Sequence, residues 1–97
     1  MAAAYTLDAY VLDTLMRDLV GHDRRPSAYL VYLVVLTQED SLGCRLSHAE
    51  LSARTGLSKR AVQDALAHLK RRELISNKST GPTQITWHKA QRPWRRA

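Results

Sequence analysis

Near the start of the chain, apolar residues recur at helical spacing. Leu7, Tyr10, Val11, Leu15 and Leu19 repeat with Leu12 and Met16 beside them, while Asp8, Asp13, Arg17 and Asp18 fill the wet positions. This pattern predicts a helix from Leu7 to about Val20, capped by Thr6 and stopped at Gly21. Asp8 falls in its first turn, where the helix dipole favours a negative charge. A second run, from Ser27 to about Glu39, is apolar nearly all round. Val31, Val34 and Val35 favour a strand there. The pattern nevertheless persists for more than ten residues without a turn signal, which favours a helix, and a helix apolar on every side is a buried, central one. Ser41-Leu42-Gly43 breaks it.

The third stretch carries its own start and stop signals. Ser47-His48-Ala49-Glu50 has capping-box spacing: the Ser47 hydroxyl can accept from the Glu50 amide while the Glu50 carboxylate reaches back to Ser47. Leu51 follows on the inner side, the helix ends near Thr55, and Gly56 can take the left-handed conformation that a sharp turn requires. Leu57 plugs that turn and Ser58 caps a further helix, residues 59–72. Val62, Ala65, Leu66 and Leu69 form one buried stripe of it. Arg60, Asp64, Ala67 and Arg71 point the opposite way, with Lys59, Gln63 and Lys70 on one flank and His68 on the other. Beyond Leu74-Ile75 the chain reads as a β-hairpin. Ser79-Thr80-Gly81-Pro82 is the turn, and Thr83 to His88 alternates, with Ile85 and Trp87 on one side and Gln84, Thr86 and His88 on the other. Residues 90–97, with Arg92, Arg95 and Arg96 around Pro93 and Trp94, predict a loose basic tail.

Charge sharpens this picture. The chain has 97 residues and a formal net charge of +6. Residues 1–44 hold three basic and six acidic side chains, net −3, and residues 45–97 hold twelve basic and three acidic, net +9. Cations clustered in this way attract phosphate and release its condensed counterions. Several classes are excluded or disfavoured. One cysteine, Cys44, cannot form an internal disulfide, and it is expected to be a partly buried small hydrophobe. No apolar run is long enough to span a bilayer, and no signal peptide is read at the N-terminus, so a cytoplasmic, nucleoid-associated protein is expected. His22, His48, His68 and His88 show no ligand-like spacing with one another or with Cys44, so no metal or other cofactor is expected. No nucleophile–base set, phosphate-binding loop or carboxylate pair points to an enzyme.

The residues Leu51-Ser52-Ala53-Arg54-Thr55-Gly56-Leu57-Ser58-Lys59-Arg60-Ala61-Val62-Gln63-Asp64-Ala65-Leu66, followed by Leu69-Lys70-Arg71-Arg72-Glu73-Leu74-Ile75, resemble the DNA-reading motif of the winged helix-turn-helix superfamily and its exit into the wing. The spacing is similar to that of GntR-type repressors and of plasmid and phage replication-control modules. The resemblance covers about residues 27–88. It implies an α+β fold, mostly α with a small β-hairpin: a three-helix core at 27–89, an extra N-terminal helix and connection at 1–26 that covers the core or dimerises, and a tail at 90–97. Glu73 stands where the family often has Gly, so that helix end is expected to be strained or to end differently. No effector domain follows, so no small-molecule effector is evident.

The resemblance also implies the site. Helix 59–72 would enter the major groove with Lys59, Arg60 and Gln63 at base edges and Ser58 at a phosphate. A wing at 76–83 would bring Lys78, Ser79 and Thr80 to the backbone or minor groove, and Arg92, Arg95 and Arg96 would track phosphates. Asp64 would pair with Arg60 or Arg71, or contact a cytosine. The function implied is a sequence-specific double-stranded DNA-binding regulator, repressor-like, acting as a homodimer through the N-terminal helix. The alternatives are a replication-initiation or phage-type DNA-binding module and a protein-interaction winged helix that binds no DNA.

Overall fold

A computed structural model of the chain describes residues 4–40, 43–80 and 85–95, with the side chains of 78–80 and 85–87 left out. The N-terminal helix begins at about Ala9 and is wound wider than an α-helix over Val11–Leu15 and Arg17–His22. Met16 N–H bonds to Val11 C=O and Asp23 N–H to Asp18 C=O, both five residues back. A four-residue apolar repeat falls between the 3.6-residue α turn and this wider one, so either winding carries Val11, Leu15 and Leu19 to one buried side. Two expectations fail here. Thr6 does not cap the helix, which starts later, and Gly21 does not stop it. The helix runs through Gly21 to His22, and the chain reverses where Arg24 takes the left-handed conformation (φ 54°) and Arg25 N–H returns to Leu19 C=O.

Pro26–Gln38 forms α1, with Pro26 in its first turn, where the missing N–H costs nothing. Ala28, Tyr29, Val31, Tyr32 and Val35 are buried, and α1 packs against the N-terminal helix, α2 (His48–Thr55), α3 (Lys59–Arg71) and β2 (Ile85–Ala90). It is therefore central, although Leu30 stays exposed. Two tyrosines fasten its neighbours: Tyr29 Oη donates to Val11 C=O at 2.9 Å and Tyr32 Oη to Gln91 C=O at 2.8 Å.

The helix signals at 47–58 are realised as read. Ser47 and Glu50 form the reciprocal capping box, Gly56 is left-handed (φ 80°), and Ser58 Oγ accepts from Ala61 N–H. Val62, Ala65, Leu66 and Leu69 of α3 join one continuous core with Val11, Leu15, Leu19, Leu51, Leu74 and Ile75. The end of α3 bears out the expected strain. Glu73 sits at φ 57° so that its N–H reaches Lys70 C=O while Leu74 N–H reaches Leu69 C=O, a reverse turn that normally uses glycine.

β1 (Ile75–Thr80) pairs antiparallel with β2 from Ile75↔Ala90 to Thr80↔Ile85. Their connection at 81–84 lies outside the described residues. Cys44 adds a short rung to β2, exchanging two backbone bonds with His88 (2.6 and 2.9 Å). Gly43 makes this approach possible, because a Cβ there would stand 3.0 Å from His88 O. The alternation expected in β2 needs correction at its body end, where His88, assigned to the polar side, is buried together with Ala90. The pattern missed this because β2 packs against α1 while Cys44 pairs along its edge, and no local signal announces contacts with elements so far away in the chain. Burial pushes the His88 imidazole below its ordinary pKa and the Cys44 thiol above its own.

Candidate nucleic-acid interface

The Ser58 cap fixes where α3 begins, and the buried stripe fixes how it is rotated. Val62, Ala65, Leu66 and Leu69 face inward, so Lys59, Arg60, Gln63, Asp64, Ala67, Lys70 and Arg71 face outward. Among the described residues no carboxylate lies within ion-pair distance of Lys59, Arg60, Lys70 or Arg71. Asp64 is likewise exposed and pairs with neither Arg60 nor Arg71. Gln63 Nε2 lies 3.4 Å from His48 Nδ1, so the first turn of α2 shares this surface with the first turns of α3. His48, exposed on α2, extends it, although nothing in its sequence spacing singles it out.

The C-terminal arginines behave differently, and the expectation of a loose tail is corrected. Residues 93–95 form a short turn of 3-10 helix. Trp94 stacks on Tyr10 with ring centroids 4.7 Å apart and meets Tyr32 edge-on at 6.4 Å. Its indole N–H donates to Asp8 at 2.8 Å. Arg95 grips the same carboxylate with two bonds, Nε to Oδ2 at 2.7 Å and Nη2 to Oδ1 at 2.6 Å. These bonds from Arg95 and Trp94 hold the Asp8 carboxyl down to about 2. Arg92 pairs with Glu39 at 2.9 Å, and Glu39 also accepts from Ala90 N–H at 3.0 Å. Arg92 and Arg95 are thus each paired with a carboxylate of the molecule, with 59% of the Arg95 side chain still exposed.

A third pair has the same logic. The Asp23 side chain is only 7% exposed and accepts from His68 Nε2 at 2.8 Å, from His22 Nδ1 at 3.0 Å and from Arg72. Burial raises its pKa, but these three donors outweigh burial and hold it at about 2. All three pairs join the acidic half of the sequence to the basic half, across separations of 49, 53 and 87 residues. Part of the sequence's charge asymmetry is therefore spent inside the fold.

Of the residues singled out from sequence, Ser58, Lys59, Arg60 and Gln63 come together on one exposed helix start. Lys78, Ser79 and Thr80 lie in the half of β1 away from the body, opposite Trp87, Thr86 and Ile85, and their side chains are outside the described residues. Arg96 is outside them altogether. No group of three or more His, Cys, Asp or Glu side chains among the described residues is placed to hold a metal, and no helix among them is long and apolar enough to cross a membrane. No protein-family model, curated protein or solved structure matches this chain.

Proposed function

We propose that this chain is a winged helix-turn-helix protein that binds double-stranded DNA in a sequence-specific way and acts as a repressor-like transcriptional regulator. One observation carries the reading: the first turns of α3 expose Lys59, Arg60 and Gln63 side by side, with no carboxylate among the described residues paired to the two cations. An exposed helix of this kind fits the major groove, which admits an α-helix and presents a donor and acceptor code. Arg60 and Lys59 are matched to guanine O6 and N7, and Gln63 to adenine N6 and N7. Ser58 Oγ accepts from Ala61 N–H and keeps its own proton to offer a phosphate. The order α1, α2, glycine turn, α3, hairpin, with the 43–44 rung on β2, supports the same fold reading.

Selection from a random duplex library tests this most directly. Enrichment of a defined sequence is expected, with affinity for it falling steeply as salt rises. A population that stays random after repeated rounds, or no retained DNA at low salt, would sink the proposal.

A further inference from the structure

The acidic half of the sequence contains three arginines, and the fold carries two of them to α3. Arg24 and Arg25 sit in the turn between the N-terminal helix and α1. Asp23 ties this turn to the C-terminal part of α3, through His68 Nε2 at 2.8 Å and through Arg72. Both arginines are exposed, and among the described residues no carboxylate lies within ion-pair distance of either. Asp23 already holds three donors, and neither Asp18, a turn back along the helix, nor Glu73, just past α3, pairs with them. The corner where the turn meets α3 therefore gathers Arg24 and Arg25 beside Arg71 and Arg72. Arg24 also holds the left-handed conformation (φ 54°) that glycine adopts freely. Strain of this kind gathers where a side chain grips a ligand.

We propose that Arg24 and Arg25 clamp a phosphate strand of duplex DNA, the strand bordering the groove on the His68 side of α3. This contact rests on the DNA-binding reading above and adds a second surface to it. A helix lying in the major groove has a phosphate strand along each side. The outward face of α3 carries Arg60, Asp64, Ala67 and Arg71, and its two flanks have different neighbours. Gln63 lies on one flank, beside His48 of α2. His68 and Arg72 lie on the other, beside the turn at 22–25. The first turn of α2 and the 22–25 turn thus stand on opposite sides of α3 and meet opposite strands. Phosphate is the group such a corner fits, because each guanidinium presents a fork of donors to paired oxygens. Contacts of this kind fix orientation on the duplex and carry no sequence information.

Fluorescence anisotropy tests it, with the full chain titrated into the selected duplex and into an unrelated duplex of equal length over a series of salt concentrations. Arg24→Ala and Arg25→Ala are each expected to weaken binding to both duplexes by about five- to tenfold at about 0.1 M salt, and to lower the slope of log affinity against log salt by about 0.9. Arg24→Gly should lose as much affinity while its melting temperature rises, because glycine relieves the left-handed strain. A purely structural arginine would not separate those two readouts. Variants that match the wild type in affinity and slope, while Arg60→Ala still weakens the selected duplex, would overturn the clamp and leave the reading helix standing. A loss confined to the selected duplex would also overturn it, since the arginines would then be reading bases. A wild type that retains neither duplex at low salt would bring down the DNA-binding reading, and the clamp with it.

Discussion

Two cationic regions of this protein look alike in sequence and differ in structure. The start of α3 offers Lys59 and Arg60, and the C-terminal segment offers Arg92 and Arg95. At α3 the cations stand in solvent with no carboxylate among the described residues in reach. In the C-terminal segment each arginine is held by a carboxylate from the acidic half, Glu39 or Asp8, and Trp94 is clamped between Tyr10 and the edge of Tyr32. A cation already paired within the fold is less available to a partner than an unpaired one, so counting basic residues overstates the surface offered to a polyanion. In the proposed function, the first region is a reading surface and the second is a fastener.

The strongest way to break this comparison is to remove the fastener. Trp94→Ala deletes two ring contacts and the bond to Asp8, and is expected to cost about 3 kcal/mol of stability. Urea denaturation would show it as a lowered midpoint, and an unchanged midpoint would mean that the segment is not docked. Next comes the reading surface. Arg60→Ala is expected to weaken binding to the selected duplex by about 1–3 kcal/mol while changing stability by less than about 0.5 kcal/mol, since Arg60 is exposed and alanine favours helix. Arg95→Ala should do the reverse, lowering the melting temperature and leaving duplex affinity in place. Equal losses of affinity in both variants would erase the distinction drawn between the two regions.

Glu73→Gly serves as a control that touches neither region. Glycine relieves the left-handed strain at φ 57°, which is worth about 1 kcal/mol, so thermal unfolding should shift up by several degrees while duplex affinity and the acid profile keep their wild-type form. A drop in melting temperature would show that the Glu73 side chain supplies something its backbone strain conceals.

The acid profile sharpens the comparison last. Asp8 and Asp23 are both held at about 2 in the folded protein, below the ~4 of an unfolded aspartate. The folded state therefore binds fewer protons between those values. The stability these groups contribute is complete above about pH 4 and is lost as pH falls toward about 2. Asp8→Asn and Asp23→Asn should each flatten the loss of stability across that window, whereas Arg60→Ala should leave its slope unchanged. An equal slope in all three variants would deny the carboxylates their part.

The sequence by itself determined the helices and their ends wherever the signal was local. A hydroxyl three residues from the amide it caps, a glycine at a left-handed turn and an apolar stripe at 62, 65, 66 and 69 act over one or two turns, within reach of a pattern along the chain. These same signals set the rotation of α3, and with it the exposure of Lys59, Arg60 and Gln63. Only the tertiary structure decided the extent of the N-terminal helix past Gly21, the burial of His88 in the strand that packs on α1, and the fate of Arg72, Arg92 and Arg95. Each depends on a partner tens of residues away. Coulomb attraction and apolar contact act through space, so which carboxylate meets which arginine is settled by how the core closes.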